Sequence, residues 1–383
     1  MTELLYRGFD GLDVSFQGQI STKFAEALDN AKTQAGKSHQ REPLEWNGIL
    51  LAVFETGAKG GYAFSATTGE FGATWFFKRP SIHDPWGVRV SCSSFLLATK
   101  GLGGARAYIY AVMGALDIAL QPNAESIGRV DYALDYLLPG FTLTPEHFVM
   151  HSNARRADHH EIHEIGVNGR SGRVTSVTVG KMPGRQLIVY DKRAEIVAKR
   201  KTAWWDIWDA TRSKEGRPTL VRDCPADSPV WRVEIRAGKQ HLKTRWRISS
   251  WRDLDNRFGD TVTGSLNAIR YATPTDDSNR SRWPEASLWQ AVRQEISDDL
   301  FEMRNFADPD LTKSVQRDEH DKMLKQQMAG LLTTRAALHG LDTDKLREFA
   351  EFCGKEMALE IDKAPPHFAK KLAKAVSRFR TIY

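Results

Sequence analysis

Arg129-Val-Asp-Tyr-Ala-Leu-Asp135 is the stretch on which the fold of this chain turns. Its two-residue period is that of a β-strand and places Arg129, Asp131, Ala133 and Asp135 on one face. Two carboxylates and an arginine on one face of a β-rich core need an explanation, because an unpaired buried charge is costly. Either the face is the polar, solvent-facing side of an antiparallel sheet, or it is a charged site. At about 3.3 Å per residue, Asp131 and Asp135 lie about 13 Å apart along the strand, so at most one of them ligates a given ion.

Working outward, the segment from Ser126 to Asp135 is one strand of several. Gly11-Leu-Asp-Val-Ser-Phe16 alternates in the same way, and residues 21–36 follow as an amphipathic helix ending near Gly36. Ile49-Leu-Leu-Ala-Val-Phe54, Gly61-Tyr-Ala-Phe64, Ala73-Thr-Trp-Phe-Phe77 and Val88-Arg-Val-Ser-Cys92 read as antiparallel strands and hairpins. A helix is expected over 103–120. Strands are expected over 162–167, 173–180 and 185–191, then a helix over 192–209 and a strand over 229–236. Beyond residue 285 the apolar spacing becomes helical: Leu288 to Phe306, Leu311 to His339, Thr343 to Asp362 and His367 to Arg380. The reading is an α+β domain at 1–271, built on an antiparallel sheet with flanking helices. A Pro- and Asp-containing linker at 272–284 and a smaller all-helical domain at 285–383 complete it.

At 383 residues with 41% hydrophobic content, the chain has ample material for buried cores. No apolar run approaches the ~20 residues that span a bilayer, and Met1-Thr-Glu-Leu-Leu-Tyr-Arg7 lacks the features of a signal peptide. The three cysteines, Cys92, Cys224 and Cys353, are far apart and form no metal knuckle. These features fit a soluble protein of the reducing cytoplasm. The net charge is +6, yet residues 170–257 alone hold 21 Lys and Arg against 10 Asp and Glu. A concentrated positive segment suits a polyphosphate partner, because neutralised phosphates release condensed counterions. A solvated basic face has the same composition. Trp204, Trp205, Trp208, Trp231, Trp246 and Trp251 lie within the segment, where they serve either as stacking platforms for unpaired bases or as core.

Two further strands carry chemistry. In Trp231-Arg-Val-Glu-Ile-Arg236, Arg232, Glu234 and Arg236 share a face. A glutamate between two arginines can hold a divalent cation while the guanidinium groups hold phosphate oxygens, and it can equally form a cross-strand ion-pair ladder. In Arg185-Gln-Leu-Ile-Val-Tyr-Asp-Lys192, Tyr190 shares its face with Ile188 and Lys192. A phenol titrates near 10 and needs a nearby cation or metal to attack a phosphodiester at neutral pH. Lys192 and Arg185 are placed in sequence to help. Asp158-His-His-Glu-Ile-His163-Glu is a competing metal candidate, but two histidines around one apolar residue, the H-U-H pattern, is absent.

Taken together, Arg129–Asp135, Thr178-Val-Gly180 leading into Arg185–Lys192 and Glu195, and Trp231–Arg236 resemble the replication initiation factor family. Its members are trans-acting rolling-circle initiators of plasmids and filamentous phages. Asp10-Gly-Leu-Asp-Val-Ser-Phe16 is similar to the N-terminal strand of that family, and the resemblance spans roughly residues 8–260. The turn Gly180-Lys-Met-Pro-Gly184 is shorter and less polar than the family pattern. The resemblance implies a relaxase-like α+β fold and a metal-dependent DNA nicking-joining endonuclease. Such an enzyme attacks one strand of an origin with tyrosine, leaves a 5′-phosphotyrosine and a free 3′-OH, and later rejoins the ends. By position, Tyr190 matches the nucleophile. Asp131 and Glu234 match acidic positions near a Mg²⁺ or Mn²⁺ ion, and Asp135 is a second-rank ligand. Arg129, Arg232, Arg236, Lys181, Arg193, Lys243 and Arg245 are the cations expected against double- and single-stranded origin DNA. A host helicase and a second copy of the chain, joined through the C-terminal helices, are further partners compatible with this reading.

Three alternatives stay open on sequence alone. A relaxase starting transfer of a mobile element would use the same chemistry. A non-catalytic, sequence-specific DNA-binding protein would keep the basic face and use Tyr190 structurally. A metallohydrolase would be built on His159, His160 and His163.

Overall fold

A computed structural model describes residues 2–150, 165–170, 172–296 and 309–379. The chain divides into two compact units, Met1–Asp308 and Pro309–Tyr383. Among the described residues, the first unit is organised by one antiparallel sheet of 11 strands in the order β2-β3-β4-β5-β6-β1-β7-β12-β11-β10-β9. Its two longest members, β1 (Glu3–Gln19) and β7 (Ala119–Leu137), pair along nearly their whole length and form the spine. To one side run β6 (Val88–Cys92), β5 (Ala73–Phe77), β4 (Phe64–Thr67), β3 (Ile49–Val53) and β2 (Glu42–Trp46). To the other run β12 (Val230–Gly238), β11 (Arg185–Asp191), β10 (Arg173–Gly180) and β9 (Ile165–Arg170). A short pair, β8 (Phe148–Met150) with β13 (Ile269–Tyr271), stands apart.

Strand alternation explains why the sheet has two unlike faces. Val130, Tyr132 and Leu134 of β7, Val233 and Ile235 of β12 and Leu187 and Val189 of β11 enter the main core, each a gain of roughly 1.5–3 kcal/mol if fully buried. The lids over this face are α5 (Trp251–Ala268), with Leu254, Phe258, Val262 and Leu266, and α6 (Ser287–Ile296), with Leu288, Trp289 and Val292. Helix α5 is missing from the sequence reading, although it carries its own start signal. Ser250 and Asp253 form a reciprocal capping box just before an i, i+4 apolar series.

The opposite face is covered at one end only. Expected as one helix over 192–209, the chain after Tyr190 instead forms α3 (Lys192–Ala198) and α4 (Trp204–Lys214). Arg200 between them takes a left-handed conformation (φ 54°) that ends α3 and redirects the chain. The turn drops Trp204 and Trp208 onto the sheet with Ile196, Tyr6, Ala133 and Phe95, the last from α2 (Ser94–Ala115). Of the tryptophans in the basic segment, Trp204, Trp205, Trp208, Trp231 and Trp251 are buried, so they serve packing rather than base stacking.

The expected boundary near residue 271 is not where the packing divides. Residues 272–284 are tied to their surroundings, Ala272 bridging Glu285 and the Thr273 N–H donating to the Pro284 carbonyl at 2.8 Å. Helix α6 completes the core of the first unit, and the division falls at Asp308/Pro309. The second unit consists of α7 (Pro309–Leu338), α8 (Leu346–Lys363) and α9 (Pro365–Phe379). There Arg335 pairs with Glu356 at 2.5 Å. No helix among the described residues is long and apolar enough to cross a membrane.

Candidate functional site

Register brings the three motif strands side by side. Asp131 of β7 stands opposite Arg236 of β12, Ala133 opposite Glu234, and Asp135 opposite Arg232. Arg232 in turn stands opposite Tyr190 of β11, and Glu234 opposite Ile188. Directly paired residues share a face, so Tyr190, Glu234, Asp131, Arg129 and Arg236 converge on the polar side of the sheet. Tyr190 is fixed as the last strand residue on that face. The Asp191 carboxylate behind it accepts from the Ala194 N–H at 2.8 Å as the cap of α3 and pairs with Arg173 at 2.5 Å.

The contacts form a chain. The Tyr190 hydroxyl donates to Glu234 Oε2 at 3.0 Å, and Arg236 Nε donates to Glu234 Oε1 at 2.6 Å. That same nitrogen lies 3.9 Å from Asp131 Oδ2. Arg129 grips Asp131 with Nε at 2.9 Å from Oδ1 and Nη2 at 2.5 Å from Oδ2. Both carboxylates are buried, whereas the two arginines are about a third exposed, 33% for Arg129 and 30% for Arg236. Gly11 faces Asp131 across β1, and a Cβ there would lie 2.5 Å from Asp131 Oδ2. A bare backbone at this position is what lets the carboxylate lie flat over β1.

The electrostatics run against a resting phenolate. Burial, then the neighbouring charge of Glu234, push the Tyr190 hydroxyl well above its ordinary value, outweighing the pull of Arg232. Asp131 is pushed up to about 6 by burial and by Glu234, against the hydrogen bonds of Arg129. Arg129 itself is held more firmly charged, because the carboxylate faces it.

Other expected residues lie elsewhere. Asp135 and Arg232 are fully buried beneath α3 and α4. Arg232 meets Asp135 with Nε at 2.5 Å and Nη2 at 2.8 Å, and Trp208 Nε1 donates to the same carboxylate at 2.8 Å. The third partner of Arg232 is Asp10 of β1, at 2.5 Å from Nη1. Arg232 holds Asp10 down at about 2 against the upward push of burial. Asp135 therefore sits in an arginine clamp apart from Asp131 and Glu234, and Arg232 is out of reach of a surface ligand. Asp10 was not singled out as a site residue, because a single Asp beside a glycine carries no pattern of its own. Lys192 is buried, donates to Glu195 at 2.7 Å, and lies 5.7 Å from the centroid of the Tyr190 ring rather than on its hydroxyl. Burial and then Arg232 lower its pKa. Arg185 sits on the core face of β11, with Leu187 and Val189, and so faces away from Tyr190. Arg193 is buried over the Trp205 ring and donates to the Arg222 carbonyl at 2.6 Å. Lys181 and Arg245 are exposed, and Lys243 is half-buried.

Among the described residues, no three His, Cys, Asp or Glu side chains converge as a metal cluster. Asp158 to Glu164, with His159, His160 and His163, lie outside the described residues. The pair Asp131 and Glu234 nevertheless suits one class of ion. Mg²⁺ is commonly held by one or two carboxylates, its other positions filled by water and substrate phosphate. A single cationic atom, Arg236 Nε, already lies within 2.6 and 3.9 Å of the two carboxylates.

Fold and site define an α+β chain with a tyrosine–carboxylate centre on the open face of an antiparallel sheet. No protein-family model matches the chain, and no curated protein matches it. Among solved structures, it is similar to a rolling circle replication initiator protein from Geobacillus stearothermophilus. The identity is 16%, the match covers 80% of this chain and 99% of that one, and the TM-score is 0.37. So loose a likeness places no residue of this chain in a role.

Proposed function

We propose that this chain is a rolling-circle DNA replication initiator that nicks and rejoins one strand at an origin through Tyr190. The observation that carries the reading is the hydrogen bond from the Tyr190 hydroxyl to the buried carboxylate of Glu234. It pairs the one nucleophile of the resemblance with a base, on a face where Asp131, Arg129 and Arg236 also converge. In the forward step, Tyr190 Oη bonds to phosphorus and the bond from phosphorus to the 3′ oxygen breaks. The phenol proton passes to Glu234 Oε2, and the 3′ oxygen takes a proton from solvent water as it leaves, giving the 3′-hydroxyl. Because the resting phenol is held protonated, proton transfer to Glu234 coincides with attack. Arg129 and Arg236, at the exposed rim, hold the phosphate oxygens. Rejoining is the same step reversed, the 3′-OH attacking the phosphotyrosine.

Asp131 and Glu234 would hold the divalent ion, Mg²⁺ or Mn²⁺, and Asp135 would not. Once bound, such an ion polarises the phosphodiester and offsets the charge that builds on it. A relaxase of a mobile element would use the same residues for the same step. A purely electrostatic DNA-binding protein gains nothing from two carboxylates beside a phosphate, which they repel without a cation.

The test incubates the protein with supercoiled DNA of the element that encodes it, with Mg²⁺ or Mn²⁺. A nicked circle covalently attached to protein is expected, and Tyr190→Phe forms none. An adduct that survives in Tyr190→Phe removes the nucleophile assignment. Metal-dependent nicking that survives both Asp131→Ala and Glu234→Ala removes the ion site.

A further inference from the structure

The polar face does not end at Arg129. Beyond it the sheet floors a groove of about 520 Å³. Asp13, in register with Arg129, and Ser15, in register with Ser126 and Arg89, form the floor. Lys59 and Trp86 come from loops on one side, and Lys239 and Lys243 from the turn after β12 on the other. From this face and this lining we propose that the groove binds single-stranded DNA flanking the phosphodiester that Tyr190 attacks. The proposal rests on the nicking reading for its substrate and extends it to a second contact surface.

Charge points to a polyanion. Of the lining cations, only Lys78 has a carboxylate partner among the described residues, Asp84 at 2.6 Å. Lys59, Lys239 and Lys243 have none, and Arg89 stacks on the rings of Phe76 and Tyr62, at 4.1 and 4.8 Å from the centroids. Burial and then the proximity of Lys239 lower the pKa of Lys243, a crowding of like charges that a bound phosphate relieves.

A second, independent feature points the same way. Ser126 lines the groove, and its buried hydroxyl has no hydrogen-bond partner among the described residues. An unsatisfied buried hydroxyl is costly, and a phosphate oxygen accepting from it once the side chain turns toward the groove removes that cost. Size decides the form of the ligand. A cavity of this volume encloses roughly one drug-sized molecule, so it admits about one or two nucleotides of a single strand and excludes a duplex. The half-buried Trp86 ring gives a base a surface to stack on. Along β7, Ser126 lies about 16 Å from Asp131 at ~3.3 Å per residue, so the groove takes a segment a few nucleotides from the reacting phosphate.

The experiment measures anisotropy of a short fluorescein-labelled oligothymidylate over a range of salt. It compares the full chain with the combined variant Lys59→Gln, Lys239→Gln and Lys243→Gln. Each single-strand phosphate contact contributes about 0.7 to the log–log salt slope, so the variant's slope is shallower by about two. Each threefold drop in salt then widens the wild-type advantage about tenfold. Lys→Arg at the same three positions keeps the wild-type slope. Equal slopes and affinities in wild type and the Gln variant overturn the proposal, as does a duplex of the same sequence competing as well as the single strand. The nicking reading fails separately. Lysine-dependent oligonucleotide binding without any Tyr190 adduct leaves the groove and removes the nickase, whereas an adduct with lysine-independent binding removes the groove alone.

Discussion

Replacing Asp131 with asparagine separates what the site does for stability from what it does for chemistry. The carboxyl is lifted from 3.8 to about 6 by burial and by the charge of Glu234. At ~1.4 kcal/mol per unit, keeping it ionised in the folded protein costs about 3 kcal/mol above its folded pKa. A group with a raised folded pKa contributes stability below its unfolded pKa and loses that contribution as pH rises through the folded one. Wild type therefore sheds about 2 kcal/mol between about pH 4 and pH 7.5 through this residue, and Asp131→Asn does not. The charge-assisted hydrogen bonds to Arg129 that the asparagine gives up are already contained in that figure, since they pull the carboxyl down against burial. Arg129 is a third exposed and regains water. Near neutral pH the variant is therefore about 2–3 kcal/mol more stable than wild type, and near pH 4 the two are alike. Urea unfolding followed by tryptophan fluorescence measures this cleanly, since all 11 tryptophans lie in the unit Met1–Asp308. A stability difference between the proteins that does not change with pH refutes the argument, as does a variant less stable than wild type at neutral pH.

Glu234→Gln keeps the hydrogen bond to Tyr190 but cannot take its proton, so adduct formation is expected to fall by about 10²–10⁴-fold while DNA affinity in a gel shift is kept. Arg232→Met leaves Asp10 and Asp135 buried without their shared cation, at a cost of about 3–5 kcal/mol in urea unfolding, and adding Asp135→Asn recovers part of it. Trp208→Phe removes one donor from Asp135 and costs about 1–3 kcal/mol in the same assay. Gly11→Ala puts a methyl 2.5 Å from Asp131 Oδ2, so nicking is expected to drop far more than melting temperature; equal losses in both would show that the displaced carboxylate relaxes without consequence for the site.

Alternation made the strands at 126–135, 185–191 and 229–236 legible and set Asp131, Glu234 and Tyr190 each on a face of its own strand; that the three faces coincide comes from the register between strands. Arg185, expected as a helper of Tyr190, fails that same alternation, since it runs with Leu187 and Val189 on the core face. What local pattern did not carry was the fate of Arg232 and Asp135. They share the polar face with Arg236 and Asp131, and only the helix break at Arg200 covers them with Trp204 and Trp208. That depends on a contact between segments distant in sequence, as does the approach of Asp10 to Arg232 at 2.5 Å. The boundary at 271 fell where composition shifts toward Pro, Asp and Ser. Packing takes no account of that shift, because Trp289 and Val292 lie on the same core as Phe258.

Position along β7 and its neighbours sorts like residues into unlike roles. At the covered end, Arg232, Asp135 and Asp10 satisfy one another completely, and such buried pairs act best as fixers of register. A one-residue slip of β12 against β7 would turn Arg232 into the apolar core. Toward the open end, Glu234 and Asp131 remain buried, but their partners are arginines that reach solvent and can leave. Tyr190 touches the boundary between these regimes, bonded to Glu234 and beside Arg232 in the adjacent strand. On the proposed reading this accounts for a nucleophile whose pKa is raised rather than lowered. A cation between Asp131 and Glu234 would take the place of Arg236 on Glu234 Oε1 and free its guanidinium for the phosphate, while Glu234 Oε2 stays on the phenol to take its proton. The site is then inert until ion and phosphate arrive together, and the adduct should form only where both are present.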